Sequence, residues 1–430
     1  MSGASESSHQ RHTLRTLVLA QVLSGAGLAA GVTVGALLAE DMLGTTSLAG
    51  IPSALFTIGS AAAAVTVGRI SNRHGRRPGL AVGYAVGATG AAVIVVAAAI
   101  DSAPLLLVAL LVYGAGTATN LQARYAGADL ALPARRGRAV STVLVATTLG
   151  AVVGPNLVTP MGGLAEAIDV PRLAGPFILA AVAYGAAGLV LVTRLRPDPL
   201  LLARQLATDA TPAEVGTADP APAPAPATWP ARAVVAGGAV MVITQIVMVA
   251  IMTMTPIHMK HHGHGVGATG VVIAAHIAGM YLPSPLSGAL VDRLGARALG
   301  FGSGMMLLLA GILAAVMPVG SVVGLAIALA VLGLGWNLGL VAGTSILSGL
   351  PLAIRARTQG AVDLCIAVAG SGAGLGSGFV VTGASYGFLA ALGGVVALAI
   401  VPIVALAVDA ERLADDTDRP EPALAGSGTR

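Results

Sequence analysis

The chain has 430 residues, of which 56% are hydrophobic and only 10% are charged. A soluble domain carries roughly 25% charged residues, so this composition excludes a soluble enzyme or carrier. The net charge of +4 excludes a strongly acidic protein, and the basic residues are spread along the chain in a way that also excludes a nucleic-acid stripe.

Apolar runs long enough to cross hydrocarbon, about 20 residues each, recur throughout. They lie near 14–39, 47–70, 79–100, 104–131, 139–163, 173–194, 233–257, 266–291, 298–317, 321–349, 359–382 and 385–408. In lipid the backbone must satisfy its own hydrogen bonds, so each run predicts a helix. Strand alternation is missing, which argues against an outer-membrane barrel. The first run follows Arg11 and Arg15. It is too long for a cleaved signal and many equivalent runs follow it, so it reads as a retained first helix.

The expected organisation is a cytoplasmic tail (1–13), a six-helix bundle (14–194), a linker (195–232), a second six-helix bundle (233–408) and a disordered acidic tail (409–430). The linker carries "ADPAPAPAPATWPAR", a Pro/Ala tract expected to be extended and exposed. Of the 23 Lys and Arg residues, all but Arg124, Arg172 and Lys260 fall on one side of this helix map. That is the positive-inside bias, and it predicts a multi-pass inner (plasma) membrane protein with both termini in the cytoplasm. The expected partners are the lipid bilayer and a small solute or metal ion, with no nucleic acid, and the chain is expected to be a monomer. The single Cys365 excludes an internal disulfide and a Cys-based zinc site.

Between the second and third runs stands Gly68-Arg69-Ile70-Ser71-Asn72-Arg73-His74-Gly75-Arg76-Arg77. At a constant offset of 220, between the eighth and ninth, stands Gly288-Ala289-Leu290-Val291-Asp292-Arg293-Leu294-Gly295-Ala296-Arg297. A duplicated loop in matching places predicts two parallel repeats. The first copy resembles the signature loop of major facilitator transporters, G-x-L-A-D-R-x-G-R-R. The resemblance spans the whole chain and implies an all-α membrane fold. Its twelve transmembrane helices form two six-helix bundles about a pseudo-two-fold axis, and a small solute moves by alternating access. It also implies a cytoplasmic latch in which the arginines of both loops pair with acids at helix ends. Asp129 is the candidate partner of Arg73 or Arg76, and Asp363 is a second acid. The first copy departs from the pattern at Asn72, which cannot make a charge-assisted bond, whereas the second keeps Asp292.

In helix four, Leu110 stands where the family places an intramembrane arginine, and Arg124 lies further toward the cytoplasm. Asn120 and Gln122 are polar on the same helix. Helix five carries Gly150-x-x-x-Gly154-Pro155, which resembles the family's antiporter-type motif and implies a hinge.

Helices seven and eight hold the least expected composition. Six of the twelve Met residues lie between 241 and 280, and five of the eight His between 258 and 276. At 100° per residue, Met241, Gln245, Met248, Met252, Thr255 and Met259 fall within about 40° of a common line. His276 and Met280 are i, i+4 neighbours on helix eight. Soft thioether and imidazole ligands suit Cu(I). Met248, Met252, His276 and Met280 resemble the motif pair of the CcoA-like copper importers, a branch of the same superfamily. Other proteins with similar motifs are associated with riboflavin. A Met stripe is also common as plain packing. The run His258-Met259-Lys260-His261-His262-Gly263-His264 follows on the outer side, where it would collect metal or sense pH.

Trp336 and Asn337 on helix ten join the candidate substrate site, and Asp363, Arg124 and His276 are candidates for proton coupling. The expected functions are Cu(I) uptake, or proton-coupled efflux of a drug or small metabolite, or riboflavin-like uptake. No resident cofactor is expected, only Cu(I) as possible cargo and the proton as coupling ion. The chain has no P-loop, G-x-S-x-G or HExxH, so no enzymatic activity is expected.

Overall fold

The structure is a computed structural model that describes residues 3–43, 50–209, 229–318 and 320–405. Most of the Pro/Ala tract and the C-terminal tail lie outside these described residues, and the described part is all helix and turn. Fourteen helices follow one another: α1 (Gly3–Leu43), α2 (Gly50–His74), α3 (Arg76–Ala99), α4 (Ala103–Ala128), α5 (Arg136–Asn156), α6 (Val158–Glu166), α7 (Gly175–Arg194), α8 (Pro199–Asp209), α9 (Trp229–His261), α10 (Val266–Tyr281), α11 (Ser284–Val316), α12 (Val322–Ser348), α13 (Arg355–Gly383) and α14 (Tyr386–Ala397). They amount to twelve crossings and one linker helix. α5 and α6 are one crossing interrupted at Leu157. α10 and the first part of α11 make another, broken at Leu282–Pro283, where proline supplies no N–H. α11 then reverses at Gly295, whose φ of 82° lies in the left-handed region that glycine enters without strain, and its second part crosses back.

Gly75 sits at the matching place of the first repeat with φ 99°. The 220-residue duplication is thus a structural repeat: each copy is a helix, a glycine reversal and a helix. Serine caps start α12 and α14, where Ser321 and Ser385 accept the amides of Gly324 and Phe388 at 3.0 Å.

α1–α7 form one bundle and α9–α14 the other, each around its own apolar core. Large apolar side chains cover the outside: Phe379 is 80% exposed, Val323 70% and Val235 67%. Such a surface is tolerable only against lipid. The halves meet along two seams, α2 against α13 and α5 against α11. Both are tight at the face that carries α8, here termed the linker face. A Cβ on Gly68 would lie 2.9 Å from the Gly360 Cα, and one on Gly288 would lie 2.6 Å from the Gly137 carbonyl oxygen.

α8 lies within the stretch expected to be an extended linker. Asp198 caps it, accepting the Leu200 and Leu201 amides at 3.0 and 3.2 Å, and also takes the Arg77 amide at 2.7 Å. Arg204 on α8 donates to the Asn72 carbonyl at 2.8 Å and to the Leu352 carbonyl at 2.9 Å, so one side chain ties the two halves together. Arg204→Ala is expected to weaken closure of this face by on the order of 1 kcal/mol, roughly a fivefold population shift. Thiol labelling of a cysteine placed in the seam measures it, and unchanged labelling would remove α8 from the closure.

Candidate functional site

On the linker face, Arg76 Nε donates to Asp129 Oδ2 at 2.7 Å, and its Nη2 donates to Gln359 Oε1 at 2.6 Å on α13. Arg355 Nη1 approaches Asp129 Oδ1 at 3.6 Å. Of the two arginines proposed for Asp129, the structure selects Arg76. The reversal at Gly75 turns Arg76 inward to full burial and leaves Arg73 exposed on the last turn of α2. Arg77 uses its amide rather than its guanidinium in the pairing with Asp198. A Cβ on Gly75 would lie 2.4 Å from the Asp198 carboxylate, so the glycine is required by contact as well as by φ.

The second copy works differently. Asp292 accepts the Gly137 and Arg138 amides at 2.7 and 3.1 Å, capping the positive end of α5 across the seam. Arg138 Nε stands 4.0 Å from it, while Arg293 and Arg297 are exposed and take no part in an ion pair among the described residues. Asn72, the counterpart of Asp292, accepts from Arg204 at 3.2 Å. A neutral amide there binds a cation without adding a carboxylate that would compete with Asp129.

Deeper in, about 12 Å along α13 from Arg355 at 1.5 Å per residue, Arg124 of one half meets Asp363 of the other. Arg124 Nη2 to Asp363 Oδ1 is 2.8 Å, and both side chains are buried. Tyr125 Oη donates to the same carboxylate oxygen at 3.2 Å, and the guanidinium lies 4.2 Å from the Tyr125 ring centroid. Arg124 also donates to Thr344 Oγ1 at 3.0 Å and to the Leu121 carbonyl. Asp363 Oδ2 is enclosed without a hydrogen-bond partner. Sequence reasoning named both charges but assigned Asp363 to the latch arginines. The structure pairs it with Arg124, because α13 enters two turns past the latch before Asp363 is reached. Hydrogen bonds and ion pairs directly joining the halves lie in this region and on the linker face.

Trp336 Nε1 donates to Gln245 Oε1 at 2.8 Å, with the Tyr281 ring edge-on at 5.9 Å. Gln245 also packs on α13 at Gly370, about two turns past Asp363. α9, α12 and α10 thus group an amide, an indole and a phenol beside α13. Asn337 serves a different purpose. It donates to the Met280 carbonyl and to Ser284 Oγ, both at 2.7 Å, and holds the break in the eighth crossing.

The Met and His stripe is mostly packed. Met241, Met248, Met254, Met259 and Met280 are buried in the apolar core, and Met252 is half-buried against it. His276 is fully buried, with Nδ1 on the Leu329 carbonyl at 2.9 Å and Nε2 enclosed and unpartnered. α10 packs chiefly on α12 and only slightly on α9, so the two stripes do not lie face to face. On the opposite face, His258 stacks on Tyr386 at 4.3 Å and meets His262 at 4.5 Å. Among the described residues no three His, Cys, Asp or Glu are grouped to hold a metal.

Gly150 lets α5 press on α1: a Cβ there would lie 2.1 Å from the Val22 carbonyl oxygen. Gly154 and Pro155 fall in the last turn of α5, and their side chains lie outside the described residues. Sequence reasoning missed a buried network in the first bundle. Tyr84 Oη donates to Gln21 Oε1 at 2.7 Å, Asn120 Nδ2 to Ser24 Oγ at 2.8 Å, and Gln21 Nε2 to Thr147 Oγ1 at 3.0 Å. Gln21 and Ser24 lie in an otherwise apolar first run, and that was the available signal. The network welds α1, α3, α4 and α5 into one rigid body.

The sequence profile of the Major Facilitator Superfamily matches residues 17–374. The chain is 54% identical to the "Uncharacterized MFS-type transporter YdeG" of Bacillus subtilis (strain 168), covering 92% of this chain and 91% of that protein. It is 30% identical to the "Riboflavin transporter RfnT" of Brucella anthropi, covering 82% and 85%. Among solved structures, the fold is similar to the human organic anion transporter MFSD10, with a TM-score of 0.71 at 15% identity over 92% of this chain and 99% of that one. The proton:xylose symporter XylE also gives a TM-score of 0.71, at 17% identity over 93% and 96%.

Proposed function

This chain belongs to the major facilitator superfamily of secondary transporters, which work by alternating access, and from that membership we propose that it moves a flat organic solute coupled to protons. We assign the linker face to the cytoplasm, since among the described residues all Lys and Arg but Arg124, Arg172 and Lys260 belong to the turns and helix ends on that side. On that assignment the closed face is cytoplasmic, and we read this conformation as the outward-facing stage of the cycle.

The observation that carries the solute class is the Trp336–Gln245 pair with Tyr281 beside it. An indole and a phenol supply stacking area, and an amide supplies both a donor and an acceptor. Trp336 is packed in the core of the second bundle at 5% exposure, and on our reading this group meets solute when the bundle moves, offering a flat heteroaromatic ring with hydrogen-bonding edges better partners than a bare ion. The similarity to a protein named as a riboflavin transporter agrees with that chemistry. Asp363 is the proposed proton carrier. Protonation removes its charge, releases Arg124 and loosens the contact between halves, which favours opening toward the cytoplasm.

Proteoliposomes test this with riboflavin and related flat heterocycles as probes. Saturable flux driven by a proton gradient is expected. Trp336→Ala is expected to raise the half-saturating concentration at least tenfold, the loss of about 1.4 kcal/mol of stacking. No flux of any such solute, or flux indifferent to Trp336→Ala, would overturn the reading.

Cu(I) uptake is a second reading, favoured by the enclosed, unpartnered His276 Nε2. It requires Met252 and Met280 to turn toward that nitrogen in another stage of the cycle. On this reading, purified protein binds Cu(I) and a Met252→Ala/His276→Ala double variant does not. Equal binding by both leaves the stripe to packing.

A further inference from the structure

On the cytoplasmic face a pocket of about 210 Å³ opens between the α4–α5 turn, α8 and the turn before α13. Its lining is mixed: Leu130, Pro133, Leu206 and Leu352 are apolar, and Asp129, Arg136 and Arg355 line it beside them. The charges beneath it do not balance. Asp129 is the one carboxylate there, and three guanidinium groups surround it. Arg76 stands at 2.7 Å, Arg355 at 3.6 Å, and Arg136 lines the same pocket. Asp292 and Asp198 are spent elsewhere, on backbone amides of α5 and of α3 and α8. Arg76 and Arg355 are almost wholly buried, and Arg136 Nε is enclosed with no hydrogen-bond partner. Two positive charges therefore remain uncompensated around one carboxylate, with Arg76 and Arg355 buried and Arg136 half-buried, an arrangement that favours an anion to complete it.

We propose that this pocket binds an anionic headgroup, a phosphate or carboxylate carrying a short apolar body, and that the bound anion holds the cytoplasmic side shut. The headgroup takes the exposed part of the Arg136 guanidinium and the outer edge of Arg355, and the apolar body lies against Leu206 and Leu352. The walls come from the first bundle, the linker helix and the second bundle, so the pocket exists only while the halves are closed. Anything bound there stabilises the closed state by mass action, and closure in turn tightens the binding. The anion's source is either a phospholipid at the membrane surface or a soluble metabolite, and the chemistry is the same for both.

The test uses the full chain with a single reporter cysteine, Ser141→Cys in a Cys365→Ser background, at the α5–α11 seam. Thiol labelling then reads the open fraction without any transported solute, so the outcome is independent of the solute proposed above. The probes are dibutyl phosphate added to detergent-solubilised protein, and nanodiscs of phosphatidylglycerol compared with phosphatidylcholine. Protection of the reporter by at least about fivefold is expected, the lower end of ordinary coupling between sites. Arg136→Gln, which removes the unpartnered guanidinium, and Leu206→Trp, which fills the pocket and keeps the charges, should each reduce the effect below about twofold. Protection by dibutyl phosphate supports a soluble ligand, and protection only by phosphatidylglycerol supports a lipid. No protection by either probe overturns the proposal, as does equal protection in both pocket variants with unchanged melting temperatures.

Discussion

Replacing Gly68 by valine is expected to leave the protein inserted and folded yet lower net transport at least tenfold. A Cβ at residue 68 would stand 2.9 Å from the Gly360 Cα and 3.0 Å from the Ala356 carbonyl oxygen. Both are backbone atoms of α13, so no side chain can swing aside to relieve the contact, and valine adds two methyl groups beyond that Cβ. Overpacking of this kind costs about 1–3 kcal/mol. The contact forms only when α2 and α13 close, so the cost falls on the state closed at the linker face alone and moves the equilibrium roughly 5- to 150-fold toward the opposite one. The Ser141→Cys reporter, fully buried at the second seam, should become labelled, and the melting temperature should change little. Gly360→Val should behave alike. Wild-type transport in either variant would show that the seam opens and closes elsewhere.

Asp363→Asn is expected to abolish proton-driven accumulation while solute counterflow, which needs no net proton movement, continues at a reduced rate. The substitution leaves Arg124 buried and uncompensated, and removing one partner of a buried ion pair typically costs 3–5 kcal/mol. Thr344, the Leu121 carbonyl and the Tyr125 ring hold the guanidinium in place, so it has no easy route to water. Because Arg124 and Asp363 belong to different halves, the penalty again falls on the closed state. An Arg124→Gln/Asp363→Asn double variant removes both charges and should recover much of the stability but none of the accumulation. Full accumulation by Asp363→Asn would exclude this carboxylate as the coupling group.

The sequence by itself determined the class of the protein. Twelve apolar runs, one side rich in arginine and a loop repeated at an offset of 220 all follow from local composition and spacing. Hydrocarbon leaves the backbone few alternatives, so that information is sufficient for helices in two bundles. Sequence also identified Arg124 and Asp363 as charges too costly to be idle inside a membrane, and the resemblance of the repeated loop named Asp129 with Arg73 or Arg76 as a latch at the helix ends.

Pairing was beyond its reach. Only the tertiary structure decided that Arg76 rather than Arg73 takes Asp129, since a one-residue reversal at Gly75 chooses which side chain turns inward. Only it decided that Asp363 meets Arg124, because partners 239 residues apart are joined by the depth at which two helices from different halves cross. The Met stripe shows the same limit from the other direction. Helical periodicity puts Met241, Met248 and Met259 on one line, but whether that line faces a cavity or a neighbouring helix depends on how α9 is rotated in its bundle. Periodicity carries no rotation, and the packing of the second bundle buries the line in its core.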